Sequence, residues 1–252
     1  MLKKVILATA LVATASFATW DKFPVLPEHK GQAKVGDVYG MPRDKVSTDD
    51  IYVGARYTII QNFELGTIFK YKIFTDNDGV DGSDGVFNLP IMARYQFMPI
   101  MNAFLDLELP IGEEEFNRDG FGFHFGVQYS QTFGIVALGT EAGLQMETPG
   151  DDKWTSPWNL NLGAEGDFAV NNMLTPYIGL DLNIFIGKSS YDGKSQGENR
   201  TGDLGVEPYL GMAITLNQML ALDFSGRFKF GEDYYGHDEA EMFFDFHLNI
   251  NF

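Results

Sequence analysis

The chain contains no cysteine, which excludes disulfide bonds and thiolate metal sites. Positive charge is scarce, because 18 Lys and Arg residues stand against 35 Asp and Glu, giving a formal net charge of −17 at pH 7. A chain this acidic would repel phosphate groups, so we expect no nucleic acid partner. We expect cations and neutral solutes as the molecules that interact with this protein.

Long apolar runs are also lacking after residue 18, so no segment there reaches the roughly 20 residues of a membrane-spanning helix. The mean hydropathy is −0.13. An ordinary value of this kind does not exclude the membrane, because a β-barrel exposes only alternate residues to lipid. The chain has 28 Gly and 22 Phe, a composition typical of many short strands with interfacial rings.

The first eighteen residues have the features of a secretory signal peptide. Lys3 and Lys4 form a positive start, residues 5–15 are apolar, and residues 16–18 supply small residues for cleavage. We therefore expect residues 1–18 to be removed and the mature chain to begin near Thr19. Because no cysteine follows, we expect no lipid anchor.

The last twelve residues alternate between apolar and polar side chains. Every second residue back from the end is apolar, and all but one of the residues between are polar; the apolar set is Phe252, Ile250, Leu248, Phe246, Phe244 and Met242. A period of two over a whole strand means that one face meets an apolar medium and the other meets water. The same alternation recurs upstream and predicts eleven strands from residue 51 onward.

The connections between these strands alternate between short and long. The short ones lie near 61–63, 98–102, 131–134, 169–174 and 215–219, and the long polar ones near 75–85, 112–120, 147–157, 187–203 and 231–240. Outer-membrane barrels have short periplasmic turns and long external loops. The pattern therefore predicts an all-β fold, an antiparallel up-and-down transmembrane β-barrel.

Parity indicates a further strand before residue 51. The strand at 51–60 leads into a short turn, so another strand must first carry the chain outward, and residues 32–41 are the candidate. This predicts about twelve strands within residues 32–252, with 43–50 as a sixth external loop. Residues 19–31, with Pro24 and Pro27, are interpreted as a periplasmic tail or a partial plug.

Two further patterns agree with a barrel. Three short turns carry Asn at similar places, at Asn62, Asn171 and Asn217, where this residue tolerates unusual dihedrals. Aromatic side chains are predicted to form girdles at both membrane interfaces; the external set is Phe87, Phe121 and Trp158, and the periplasmic set is Tyr95, Phe97, Tyr129, Phe168 and Phe252.

The residues predicted to line the lumen are strongly charged. A basic arc lies on the early strands and near the closure, formed by Arg56, Lys70, Lys72, Arg94, Arg227 and Lys229. A longer acidic arc is formed by Asp106, Glu108, Glu141, Glu165, Asp167, Asp181, Glu207, Asp223 and Asp245. Opposed arcs produce a transverse field that selects polar solutes. The alternative is an ion-pair network that fills the barrel.

Two other features of the sequence are candidates for metal binding or catalysis. The 75–85 loop carries Asp76, Asp78, Asp81 and Asp84, oxygen ligands of the kind that Ca²⁺ prefers, although no Glu closes an EF-hand pattern. A solvated external loop is the alternative, and no other cofactor is expected. The histidines are His29, His124, His237 and His247; no G-x-S-x-G motif accompanies them, so a catalytic Ser–His pair is not indicated.

The alternating strands, Asn-containing turns and terminal Phe resemble bacterial outer-membrane β-barrels, which are porin-like proteins. In that family the terminal Phe, here Phe252, is part of the signal read by the outer-membrane assembly machinery. Residues 89–97 and 103–111, with a Pro-containing strand on each side of a turn, are similar to the outer-membrane transporters of the phenol-degradation MetA-pathway type.

The resemblance implies location in the bacterial outer membrane, with the lipid bilayer as surroundings. The leading hypothesis is a monomeric passive channel for small polar solutes, without enzymatic activity. An outer-membrane lipid hydrolase and a structural or adhesive envelope barrel with cation-binding acidic loops are the alternatives.

Overall fold

The computed structural model describes residue 20, residues 22–114, residue 117 and residues 119–252. The predicted signal peptide, residues 1–18, and the expected start at Thr19 lie outside these residues. Twelve antiparallel strands form the barrel: β1 (Gly31–Arg43), β2 (Val46–Ile60), β3 (Phe63–Asn77), β6 (Leu89–Met98), β7 (Met101–Leu109), β8 (Gly122–Phe133), β9 (Val136–Glu147), β11 (Trp158–Phe168), β12 (Leu174–Ile186), β15 (Leu204–Thr215), β16 (Leu220–Lys229) and β17 (Glu241–Asn251).

The barrel closes because the first strand pairs with the last. β1 pairs with β17 from Gln32↔Asn251 to Met41↔Met242, and with β2 on its other side. The backbone N–H groups of Gly31 and Phe252 each donate to the other's carbonyl, so this seam extends to the end of the chain. The prediction of an all-β barrel with twelve strands is confirmed, and residues 32–41 lie within β1.

Short elements occupy the connections at the external end. They are β4 (Val80–Asp81) and β5 (Gly85–Val86) beside β3, a separate three-stranded sheet of β10 (Trp154–Thr155), β13 (Ser189–Tyr191) and β14 (Lys194–Gln196), and one helical turn, α1 (Glu232–Tyr235). Among the described residues, no helix has the length and apolar character needed to cross a membrane.

The predicted external loop at 43–50 is wrong. β1 ends at Arg43 and β2 begins at Val46, so the connection is a two-residue turn of Asp44 and Lys45. Lys45 adopts a positive φ of 60°, as such tight turns require. The loop was inferred from the strand at 51–60 beginning only at residue 51, but β2 begins five residues earlier, and Asp50 points into the lumen within 2.7 Å of Lys70, an ion pair that lets a charged residue remain in a strand.

Polar side chains fill the interior and apolar side chains cover the outside. The least exposed side chains include Thr58, Gln128, Glu165, Asp223 and Asn249. Large apolar residues on the alternate face are exposed, among them Val53, Ile178 and Leu210 at 52%, 59% and 56%. This arrangement is the reverse of a water-soluble domain, and it is the arrangement that an apolar solvent outside requires.

The repeated Asn turns share one geometry at two sites. Asn171 Oδ1 accepts hydrogen bonds from the backbone N–H groups of Met173 and Leu174, and Asn217 Oδ1 does the same for Met219 and Leu220. Asn62 instead adopts a positive φ of 67°. Asn therefore stabilises these short turns in two ways, by accepting backbone hydrogen bonds or by adopting a positive φ.

The placement of Phe87 differs from the predicted outer girdle. Its ring lies 4.5 Å from the ammonium of Lys70 and 5.3 Å from that of Lys72, both of which face the lumen. The short strand β5 interrupts the alternation before β6 begins, so Phe87 turns inward. Phe121 and Trp158 are exposed on the outside, at 45% and 51%.

Candidate functional site: a charged lumen

The described part of the N-terminal segment, residue 20 and residues 22–30, enters the lumen from the end where the short turns lie. Trp20 is buried, with its ring 4.5 Å from the Lys34 ammonium on β1. Phe23 is also buried, and its carbonyl accepts a hydrogen bond from Asn102 at the start of β7. The interpretation of residues 19–31 as a tail or a partial plug stays a prediction; among the described residues, Trp20 and Phe23 are buried inside the barrel.

Lys22 extends from this segment to the opposite wall. Its Nζ lies 2.6 Å from Asp181 Oδ1 on β12 and donates a 3.0 Å hydrogen bond to the hydroxyl of Tyr209 on β15. Trp20, by contrast, contacts β1 and β2. The segment therefore crosses the lumen, and its single buried ammonium is held by strands of the acidic arc.

The structure places the side chains of the predicted basic residues on the inner face, where several meet carboxylates. Arg56 lies 3.5 Å from Glu64, with both side chains buried. Lys70 and Lys72 lie 2.7 and 3.3 Å from the two oxygens of Asp50. The basic arc is thus largely neutralised by local ion pairs.

The remaining basic residues follow two patterns. Arg94 makes a two-point contact with Asp106 on the neighbouring strand. Arg227 donates to Asp181 at 2.8 Å and to Glu207 at 3.0 Å. Lys229 lies over aromatic rings, those of Phe243 and Tyr235.

Several carboxylates of the acidic arc are held by tyrosine hydroxyls. Tyr177 donates to Asp223 at 2.6 Å, Tyr209 to Glu165 at 2.7 Å, and Tyr52 to Asp245 at 2.9 Å. A phenol satisfies a buried acceptor without cancelling its charge. Each of these three carboxylates therefore accepts a hydrogen bond from a neutral group; Asp167, also buried, lies on the same face of β11.

Two glycines make room for these tyrosines. A Cβ at Gly179 would lie 2.1 Å from the ring of Tyr209, and one at Gly211 would lie 2.3 Å from the ring of Tyr177. The registers pair Tyr177 with Gly211 and Tyr209 with Gly179. Each ring therefore lies flat over the glycine of the neighbouring strand, which sets the direction of its hydroxyl.

The two inner histidines belong to this polar network. His247 Nδ1 lies 2.6 Å from Asp245, and its ring lies 6.0 Å from that of Tyr52. His124 lies 3.6 Å from Asp106 and 3.7 Å from Glu141, which also accepts a hydrogen bond from Gln128. Both histidines are thus oriented by carboxylates inside the barrel, away from the lipid that a hydrolase would attack.

The Asp-rich loop does not gather its described carboxylates. Asp76 accepts a hydrogen bond from the Gly79 N–H, Asp78 lies 3.4 Å from Lys45, and Asp84 accepts one from Tyr71. Across the described part of the chain, no group of three or more metal-ligating side chains is arranged to hold an ion. The backbone of Asp81 lies in β4. Ca²⁺ binding here stays a prediction without support from the described side chains.

Sequence reasoning missed Lys22, Asp50 and Glu64. Glu64 is in phase with Lys70 on β3, so the alternation itself could have placed it inside. Asp50 had been assigned to a loop. Lys22 lies in a segment without a strand pattern, and only the folded chain shows that it reaches Asp181.

Solved structures resemble this barrel. The fold is that of outer-membrane β-barrel channels. An outer-membrane channel from Pseudomonas putida F1 has a TM-score of 0.71 and 13% identity, over 94% of this chain and 100% of that chain. The NanC porin has a TM-score of 0.56 and 8% identity, over 86% and 98%, and the KdgM porin 0.52 and 8%, over 87% and 99%.

At these identities the likeness shows the fold alone. No family model matches the sequence, and no curated protein matches it significantly. The similarity to the phenol-degradation group therefore stays a prediction.

Proposed function

We propose that this protein is a passive channel of the bacterial outer membrane for small polar solutes, with a preference for cations. The observation that carries the proposal is a closed twelve-strand barrel with an apolar outside and a lumen in which acidic side chains exceed basic ones. Passive passage needs no catalytic residue and no cofactor.

The distribution of charge supports the cation preference. The basic residues on β2, β3 and β6 contact Glu64, Asp50 and Asp106, so they contribute little net positive field. On the facing strands, Glu165 and Asp223 accept hydrogen bonds from tyrosine hydroxyls, which bring no positive charge to offset these carboxylates. Rings of carboxylates lower the energy of a cation in a pore and raise that of an anion.

The N-terminal segment narrows the path. Trp20, Lys22 and Phe23 are buried inside the barrel, so a solute passes only where this segment leaves space or moves. A channel with such an internal segment is expected to conduct less than the same barrel without it. An ion-pair network and a charge-selective path are therefore compatible in one lumen. In this proposal the basic arc takes part in the ion pairs that fill the barrel, and the acidic arc selects cations.

Planar-bilayer recordings under a KCl gradient test the proposal. The expected reversal potential is that of a K⁺-preferring pore. Glu141→Gln should reduce this preference because it removes an inner charge, whereas Glu198→Gln, in an exposed external loop, should leave it unchanged. A Cl⁻-preferring pore, or no conductance either with or without residues 19–30, would contradict the proposal.

A further inference from the structure

A cavity of about 280 Å³ lies on the inner side of the external end, between the β7–β12 wall and helix α1. This volume lies near the lower limit of ligand sites, so it suits a small molecule. The side chains that decide its chemistry are Glu108, Gln145, Glu147, Asn159, Phe185 and Tyr234.

The cavity wall is rich in acceptors. It contains two carboxylates, and none of the described residues that line it is Lys, Arg or His. Glu108 accepts a 3.1 Å hydrogen bond from the neutral Asn88 amide, and Glu147 accepts one from the Ser156 backbone. The wall therefore carries negative charge, which favours a positively charged ligand.

Asn159, whose side chain also hydrogen-bonds that of Tyr234, supplies a second observation. Its side chain is 5% exposed, and its Oδ1 has no hydrogen-bond partner among the described residues. Buried polar atoms are nearly always paired, so an acceptor left open on a cavity wall indicates a missing donor. A ligand that carries an O–H or N–H group would provide that donor.

Tyr234 contributes an aromatic surface whose position is fixed. Its ring stacks on Phe185 with centroids 4.2 Å apart and planes 17° apart. Arg200 lies 4.4 Å from the Phe185 ring and also donates to the Tyr234 carbonyl at 3.2 Å, so it ties α1 to β12. Burial, together with the Glu207 carboxylate, raises the pKa of Tyr234 to about 12, so its phenol stays neutral.

We propose that this outer cavity binds a small organic cation that carries an ammonium group and a hydroxyl. The carboxylates attract the ammonium, the Tyr234 ring adds a cation–π contact, and Asn159 Oδ1 accepts the hydroxyl proton. Anions are repelled, and a neutral polyol gains nothing from the charge. This binding function is separate from the passage of solutes, because binding at the external mouth needs no open path through the barrel.

Titration calorimetry on the full refolded chain in detergent tests this, with choline as the probe. Wild type should bind choline saturably and bind sorbitol and acetate much more weakly. Tyr234→Leu and Glu108→Gln should each weaken choline binding about tenfold, since each removes one of the contacts to the ammonium. Heat-modified gel migration checks that each variant is folded.

Two substitutions outside the cavity serve as matched controls. Glu198→Gln makes the same charge change on an exposed loop, and Tyr191→Leu removes an exposed external aromatic; both should bind choline like wild type. The proposal is overturned if folded wild type does not bind choline, if sorbitol binds equally well, or if folded Glu108→Gln binds unchanged. The titration involves no ion flow, so a failure of cation-selective conduction would leave its outcome unaffected.

Discussion

The ammonium of Lys22 lies 2.6 Å from Oδ1 of Asp181, and this ion pair joins the N-terminal segment to the barrel wall. Their side chains are only 7% and 20% exposed. The contact crosses the lumen. The segment before β1 pairs with the end of β2, whereas Asp181 lies on β12 in the opposite wall. The ion pair is therefore one of the contacts through which a charged side chain can hold the internal segment in place.

Replacing Lys22 should loosen this segment. In Lys22→Ala the ammonium is lost from Asp181 and from the Tyr209 hydroxyl, while the segment keeps its other contacts, among them those of Trp20, Phe23 and Leu26. We expect a larger mean single-channel conductance in planar bilayers and a stronger K⁺ preference, since one inner positive charge is gone. Lys30→Ala, at an exposed site on the same segment, is the control. Equal conductance of the two variants would show that the ion pair does not hold the segment.

A methyl group at Gly179 should disturb the tyrosine–carboxylate network. Its Cβ would lie 2.1 Å from Tyr209, whose ring must then move away from Glu165. Overpacking of this kind costs about 1–3 kcal/mol. We expect the free energy of unfolding to fall by this amount in urea titrations of the micelle-bound protein. Gly166→Ala, where the nearest atoms lie at 3.7 Å, should change it by less than about 0.5 kcal/mol. Equal losses would indicate a backbone effect in place of ring displacement.

The outer face of β12 offers a test of the bilayer itself. Leu180 is the central residue of the strand and Ile186 its external end, and both point outward at 41% exposure. Leu180→Arg should lower the free energy of unfolding from lipid vesicles by about 2–4 kcal/mol, and Ile186→Arg by about 0–1 kcal/mol, because the cost of a charge falls towards the interface. A loss that does not depend on depth would argue against a membrane around this strand.

Most of the architecture could be predicted because a barrel repeats one local rule. The alternation of β17, with Phe244 and Phe246 outside and Asp245 and His247 inside, is decided by the two media that the strand separates. Departures arise where local irregularity overrides the rule. At Phe87 the short β5 strand changes the alternation of side chains, and at Asp50, in the predicted loop, two lysines stabilise a carboxylate within β2.

The candidate site was less predictable from the sequence. Alternation places Glu165, Asp181 and Arg227 on the inner face, but it does not tell which of them meet. Arg227 bridges Asp181 and Glu207 because three neighbouring strands bring them to similar heights. Likewise, Tyr234 reaches Phe185 only because the 230–240 connection folds back over the barrel mouth.

The sequence by itself determined the barrel and its number of strands, since these follow from periodicity and parity. Tertiary structure alone decided that Lys22 crosses the lumen to Asp181 and that Tyr209 lies over Gly179. The physical reason is that side-chain periodicity is a local property of each strand. Contacts between residues of different strands or segments depend instead on register, on closure, and on how the chain ends and loops fill the enclosed space.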